Sequence, residues 1–369
     1  MTFQESSQAY EQWLRKGGLF LLAPDLKAKQ RKLKNDAFSF LRGTFYRWSQ
    51  IWPGVAADLI EAGKMKPKAP EIPAVGDLHI ENFGTWRDRE GRLIWGINDF
   101  DEACSLPYVD DLVRLATSAG LTESEKKIRL ALPLEAACAS ILEGYLDGLE
   151  IKGCPFVLSD RHHWLWQMAR SQEREPREFW QHLEGAVLPA AKEIPPPLLD
   201  ELRTVLDLPT APPYPVTERG LRQAGVGSLG RVRWVQIYQD AGGKFAREAK
   251  MRAASAWFFA HRRPLPRTDC YEAILEKAVR VNDPDHSVSA RWVFRRLAPD
   301  CNKIELGLLE KAKDKGALLR AMGFETANIH LGSGHRSQIL RHLRAQPKGW
   351  LQTAARKMIR KTIEDFESQ

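Results

Sequence analysis

The chain has 369 residues, 43% of them hydrophobic and 28% charged, with a formal net charge of +8. That length leaves room for two domains or two lobes around a cleft, in a composition ordinary for a globular protein. No apolar run reaches the roughly 18 residues of a membrane span, and the N-terminal segment lacks a secretory apolar region, so neither insertion nor export is expected.

In chain order, residues 1–70 read as helical, with FSFLRGTFYRWSQIWPGVAADLIEAG as the main periodic stretch and Pro53 at a helix start or kink. Pro67, Pro70 and Pro73 predict an extended approach to GDLHIENF (76–83). A hairpin comes next, built from ENFGTW, a DREG turn and RLIWGIND, in which Leu93, Trp95 and Ile97 alternate as in a half-buried strand. From about 108 to 190 the pattern is helical, opening on DDLVRLATSAG, continuing over 124–150 and broken near Pro133. A Pro-rich stretch (195–215) reads as a boundary. Beyond it RVRWVQIYQD and KFAREAK, joined by an AGG turn, read as strands. Helices over 268–282, 308–331 and 348–366 and a strand over 291–298 complete the chain. The expected units are a helical segment (1–70), a catalytic and metal loop with a helical lobe (71–195), a β-containing lobe (216–300) and C-terminal helices returning to the helical lobe (301–369).

The five cysteines (Cys104, Cys138, Cys154, Cys270, Cys301) form no CxxC pair, so neither a disulfide framework nor a zinc site is expected, and a reducing cytoplasm fits. Basic residues are spread over 27–34, 262–267 and 356–361 without regular aromatic interleaving; they read as solvated faces rather than a nucleic-acid surface. His162 and His163 lack a partner at ligand spacing, and GSGHR (332–336) reads as a helix C-cap with a loop.

Asp77 and Asn82 stand five residues apart, the spacing a kinase catalytic loop needs: the Asp accepts the proton of the attacking hydroxyl and the Asn holds a metal ion. Asp99 stands at the end of an apolar strand, with Asp101 and Glu102 close by. Carboxylates so crowded repel one another, and a hard cation such as Mg²⁺ offsets that repulsion. Asn82, Asp99 and Asp101 are therefore the expected metal ligands. An exposed acidic turn or a helix cap would account for each piece taken alone.

GDLHIENFG, INDFDEA, DDLVRLATS and the upstream NDAFSFLRGTFYRW resemble the bacterial family known as domain of unknown function 2252, densely over 36–117 and again over 225–300. The GDLHxxN and DFD elements are more distantly similar to aminoglycoside phosphotransferase and choline kinase sites. That second resemblance implies a kinase-like fold, ATP and Mg²⁺, and a structural role for Asp111 after the metal loop; an N-cap would serve as well. The chain departs from the pattern at Val75, where such enzymes carry His, and at Asp101, where protein kinases have the Gly of DFG.

GVGSLGRV (225–232) fits the glycine-rich loop that covers nucleotide phosphates, with Gly225, Gly227, Ser228 and Gly230 against the phosphates. It precedes two strands, the second ending in Lys250, the expected phosphate contact; Glu276, or alternatively Glu272, is the expected orienting partner. A Rossmann reading fares worse, because TERGLRQA before the loop reads poorly as a strand and RVRWVQIY after it is strand-like rather than helical. An ordinary hairpin with glycine turns is the competing account.

The catalytic loop precedes the glycine loop, so the expected fold is α+β, helix-rich, protein-kinase-like and two-lobed, circularly permuted. The expected function is ATP- and Mg²⁺-dependent phosphotransfer, with Asp77, Asn82 and Lys250 catalytic, from a nucleotide to an unidentified hydroxyl-bearing acceptor. The alternatives are a non-catalytic nucleotide-binding scaffold and a nucleotidyl transferase on the same fold.

Overall fold

The computed structural model describes residues 2–122, 132–189, 194–207, 214–265, 270–304, 309 and 311–369. It is a mixed α+β fold, in which 52% of the described residues are helical and 16% are strand. The chain opens with four helices: α1 (Phe3–Lys16), α2 (Ala23–Leu33), α3 (Ala37–Gly43) and α4 (Phe45–Glu61). Thr2 and Glu5 form a capping box on α1, and the Asp36 carboxylate caps α3 by accepting from Ser39 N. Pro53 lies inside α4 and does not start it.

Strand β1 (Glu71–Ala74) leads into residues 75–79 and a 3₁₀ turn (Ile80–Asn82). The hairpin β2 (Phe83–Arg87) and β3 (Leu93–Ile97) comes next, then β4 (Cys104–Pro107), which returns to pair with β1. The Asp88 carboxylate closes the hairpin turn by accepting from the backbone of Glu90 and Arg92. The expected half-buried strand is buried on both faces, because Ile94 as well as Trp95 is covered and Gly96 faces the Glu325 carboxylate.

Helix α5 (Tyr108–Leu121) is buried almost all round, as a central helix must be. It packs between α6 (Leu134–Glu150) and the C-terminal helices. The helical region continues with β5 (Phe156–Val157), α7 (Leu158–Arg161), α8 (His163–Ser171) and α9 (Pro176–Gly185). Helix α10 (Pro196–Thr204) lies inside the stretch read as a boundary; its leading prolines suit the first turn, where no N–H partner is lost. Residues 123–131, and 208–213 of that same stretch, lie outside the described residues.

A five-stranded sheet comes after it, with strand order β6–β7–β8–β10–β9: β6 (Val216–Leu221), β7 (Arg233–Asp240), β8 (Gly243–Met251), β9 (Ser287–Val288) and β10 (Trp292–Leu297). TERGLRQA thus contains a strand that sequence alone does not show. Four of the six residues of β6 are exposed, so it carries no apolar alternation, and pairing with β7 holds it. Between β8 and β9 lie α11 (Ala256–His261) and α12 (Cys270–Lys277); the expected start of the latter, at 268, lies outside the described residues. The chain ends with α13 (Ala312–Leu331), α14 (Arg336–Arg344) and α15 (Trp350–Glu367), the second of them not foreseen; the expected start of α13, at 308, is not described.

The main apolar core lies among α1, α3–α6, α13, α15 and β1–β4. The five-stranded sheet has two smaller cores of its own. On one face Trp234, Ala249, Met251 and Trp292 meet Leu198 and Leu202 of α10; on the other Val235, Ile237 and Ala246 meet Phe179 and Leu183 of α9. The two-residue strand period puts Arg233, Glu248, Lys250 and Arg295 on this second face, where Lys250 is opposite Arg233 and Val293, and Glu248 opposite Val235 and Arg295. That face looks onto residues 76–82 and 98–102.

Candidate active site

The segment 75–82 is held from below by α5. Asp111, in the first turn, accepts from the N–H groups of Val75 and Gly76, each at 2.8 Å. His330 of α13 bridges Asp111 to Tyr145, its Nε2 3.0 Å from Asp111 Oδ2 and its Nδ1 2.8 Å from the Tyr145 hydroxyl. Asp111 is thus a brace for the loop and not the helix cap. Gly76 has φ +81°, and a Cβ there would fall 2.4 Å from the Glu102 carbonyl oxygen, so only glycine fits. One helical turn on, Arg114 is fully buried against Phe45 and Trp48 and grips Asp77. Its Nε and Nη2 lie 2.9 and 2.5 Å from Asp77 Oδ1, and Nη2 also donates to the Leu41 carbonyl.

Asp77 therefore has one oxygen fixed and no partner among the described residues for Oδ2. Burial raises its pKa, against the pull of Arg114. Asn82 turns inward on the 3₁₀ segment, and its Oδ1 accepts from His79 N at 2.5 Å. Burial pushes the His79 imidazole well below its ordinary value, and the neighbouring Arg42 and Lys303 add to that, so the ring is neutral; its Nδ1 accepts from Glu81 N. Arg42 pairs with Glu81 at 2.9 Å rather than with Asp77.

Lys250 is only 2% exposed. Its ammonium lies 2.5 Å from Asp101 and 3.5 Å from Asp99. Arg231 approaches the same Asp101 oxygen at 3.4 Å and reaches Glu102 at 3.3 Å. Burial would raise the Asp99 pKa, but Lys250 and Arg295, with Arg233 behind them, hold it well below the usual carboxylate range. Glu102 is the opposite case: burial lifts it to about 7 despite Arg231, and its Oε2 accepts from Ala256 N.

These groups line one cleft of about 320 Å³, to which Asp77, Asn82, Asp99, Asp101, Lys250, Gly225, Gly227 and Ser228 all contribute. The glycine loop lies directly over the catalytic-loop candidate: a Cβ on Gly227 would sit 3.7 Å from Asp77 Oδ2 and 3.1 Å from the Arg42 carbonyl oxygen. Ser228 is held by Arg233, whose Nη2 donates to its hydroxyl at 2.9 Å. Two expected residues stand outside. Gly230, with φ +101°, packs against Leu26 and serves the loop's shape. Glu276 is exposed on α12, as is Glu272, and neither pairs with Lys250; Asp99 and Asp101 do instead. Arg114, Arg231, Arg233, Arg295 and Lys303 were not singled out from sequence, although Arg114 stands three residues after Asp111 and so shares its helix face.

Among the described residues no group of three or more His, Cys, Asp or Glu side chains is placed to hold a metal ion. Asp99 and Asn82 are hard oxygen donors suited to Mg²⁺, which keeps several waters and uses one or two carboxylates together with substrate phosphates. Asp101 is a donor of the same kind: Lys250 and Arg231 both lie on its Oδ2, as Lys250 and Arg295 both lie on Asp99 Oδ1, so each carboxylate keeps its other oxygen for a cation.

Residues 22–151 match the model of a bacterial family described as an uncharacterized protein conserved in bacteria, domain of unknown function 2252. The matched region takes in Asp77, Asn82, Asp99, Asp111 and Arg114 and ends before the glycine loop and Lys250. No curated protein and no solved structure matches the chain. No helix among the described residues is long and apolar enough to cross a membrane.

Proposed function

We propose that the chain is an ATP- and Mg²⁺-dependent phosphotransferase of kinase-like, two-lobed and circularly permuted design, acting on a hydroxyl of a small-molecule acceptor. The observation that carries this reading is the meeting, on one cleft, of three segments distant in sequence: 76–82, 99–101 and 225–250. A kinase site needs a catalytic Asp, a metal-binding Asn five residues on, a second metal-binding Asp, a glycine loop and a lysine on the third strand of that loop's sheet. Lys250 lies on β8, third in the order β6–β7–β8. The permuted chain order is supported by the contact of the first and last helices across one ring: Phe40 is 4.9 Å from Phe3 and 6.0 Å from Phe366.

In this reading Asp77 Oδ2 accepts the acceptor's hydroxyl proton. The acceptor oxygen bonds to the terminal phosphorus as the bond to the leaving diphosphate breaks. Arg114 fixes the carboxylate's direction, and burial raises its pKa, the direction a general base needs. Gly225, Gly227 and Ser228 offer backbone N–H groups and a hydroxyl to phosphate oxygens, while Lys250 and Arg231 supply fixed positive charge. Asp99 and Asn82 would hold Mg²⁺, which neutralises phosphate charge when bound.

A second reading, a nucleotide-binding scaffold without turnover, is favoured by the Arg114 clamp, which neutralises the Asp77 charge. Nucleotidyl transfer would use the same cradle. A thermal-shift titration with ATP and Mg²⁺ tests the first step. Stabilisation of the wild type only when Mg²⁺ is present, and its loss in Asp99→Ala, supports the reading; no response in either protein rejects it. Asp77→Asn then separates the two readings: it abolishes product formation in an enzyme and leaves nucleotide binding unchanged in a scaffold.

A further inference from the structure

A second cavity, of about 190 Å³, opens beside the cleft on the same sheet face, between β10, α9 and the segment after α12. Its lining holds six arginines, Arg174, Arg222, Arg233, Arg280, Arg295 and Arg296, against two carboxylates, Glu248 and Asp283. Glu248 is spent on Arg222 and Arg233, at 2.7 Å and in closer contact respectively. Among the described residues Arg174 finds only the carbonyls of Cys301 and Ala298 and the ring of Phe179. Arg296 lies 3.9 Å from Asp300 and keeps a third of its side chain exposed.

Arg280 is the telling residue. Its guanidinium is stacked between Trp86 and Phe100, 5.0 and 5.1 Å from the ring centres. Its Nε and Nη1 are buried and have no hydrogen-bond partner, and no carboxylate among the described residues forms an ion pair with it. Buried donors on a charged group are costly to leave unmet, and burial correspondingly lowers the Arg280 pKa. Asp283, the other carboxylate of the lining, accepts from Asp285 N at 2.9 Å and forms no ion pair with Arg280; burial raises its pKa. A cavity with so many planar donor forks and so little negative charge is suited to phosphate oxygens.

We propose that this cavity binds a compact polyanion, a small molecule carrying two or more phosphate groups. Such a ligand would complete the donors of Arg280 and Arg174 and offset the excess charge that the lining brings together. Because Arg174, Arg233 and Arg295 also border the cleft, the bound anion would lie next to the site of Asp99 without needing Mg²⁺ or a nucleotide.

The test is isothermal titration with inorganic pyrophosphate in EDTA, against sodium chloride at matched ionic strength. Wild type should bind pyrophosphate in excess of the chloride control, with Kd raised at least tenfold in Arg280→Gln and in Arg296→Gln. Arg296 is partly exposed, so its variant decides the matter even where Arg280→Gln does not fold. Lys250→Met, at a residue that lines the cleft and not the cavity, should keep the Kd within about threefold of wild type, and so should Asp77→Asn, whatever becomes of phosphotransfer. Binding that is unchanged in Arg296→Gln, that disappears in Lys250→Met, or that never exceeds the chloride control overturns the proposal.

Discussion

The two glycine-bearing loops that meet over Asp77 are held in different ways. Residues 75–82 are braced from inside the core: Asp111 takes two backbone N–H groups, Ser118 takes a third from Ile80, and Arg114 fixes the Asp77 carboxylate. Residues 225–230 are held from the surface by the N-terminal helices. Lys29 Nζ donates to the Gly227 carbonyl at 3.2 Å, Gln223 Nε2 donates to Asp25, and Leu22 N donates to the Gly230 carbonyl. A base must be fixed to be aimed, whereas a cover over a ligand must yield to admit it. Damage to the first loop should therefore register as lost stability, and damage to the second as altered ligand handling.

Asp111→Ala should give the largest effect. It leaves the N–H groups of Val75 and Gly76 buried without an acceptor and strips His330 of its partner, so urea unfolding should show a loss of about 3–5 kcal/mol. Gly76→Ala comes next. A left-handed backbone and a 2.4 Å approach to a carbonyl oxygen should together cost about 2–3 kcal/mol by the same measurement. A loss below about 1 kcal/mol in both variants would mean that residues 75–82 are not braced by α5.

How far this contrast was legible in the sequence depends on the range of each interaction. Asp77, Asn82 and the glycine loop are local patterns, and all reach the cleft. The face carrying Arg233, Glu248, Lys250 and Arg295 depends on the register of β8 against β10, strands far apart in the chain, which no local pattern fixes. Glu276 failed for a related reason: its helix was foreseen, but the helix's rotation about its own axis is set by packing, and it turns Glu276 to solvent. The crowding of Asp99, Asp101 and Glu102 is legible in the sequence; Arg231 and Lys250, which relieve it, arrive from elsewhere in the chain.

Asp110, the neighbour of Asp111, sharpens the comparison by pH. It is buried with a single donor, Trp52 Nε1 at 2.8 Å, and burial lifts its pKa from 3.8 to about 8. The folded state thus holds a proton that the unfolded state releases, so this group's stabilising contribution is complete below pH about 4 and falls as pH rises toward 8. Its share of the slope is at most about 1.4 kcal/mol per pH unit. Asp110→Asn removes that share, and chemical denaturation at about pH 5 and about pH 8 should show a smaller stability loss across the interval than in wild type. An unchanged pH dependence would place the proton elsewhere.

The smallest stability effects belong to the glycine loop. Gly227 has no left-handed φ, and the nearest atom to an added Cβ is the Arg42 carbonyl oxygen at 3.1 Å, so Gly227→Ala should cost under about 1 kcal/mol. The same methyl group would project toward Asp77 Oδ2, past which the transferred group moves in the proposed reading. The expected signature is a nearly unchanged melting temperature with at least a tenfold loss of kcat/KM for ATP. Lys29→Met removes one hydrogen bond from the same carbonyl region, again for about 1 kcal/mol or less, and leaves the path to Asp77 clear. On the proposed phosphotransfer it should raise KM for ATP a few-fold with kcat little changed, because it loosens the cover without touching Asp77. If Lys29→Met lowers kcat as strongly as Gly227→Ala does, the N-terminal helices are part of the chemistry's alignment and the contrast between the two loops fails.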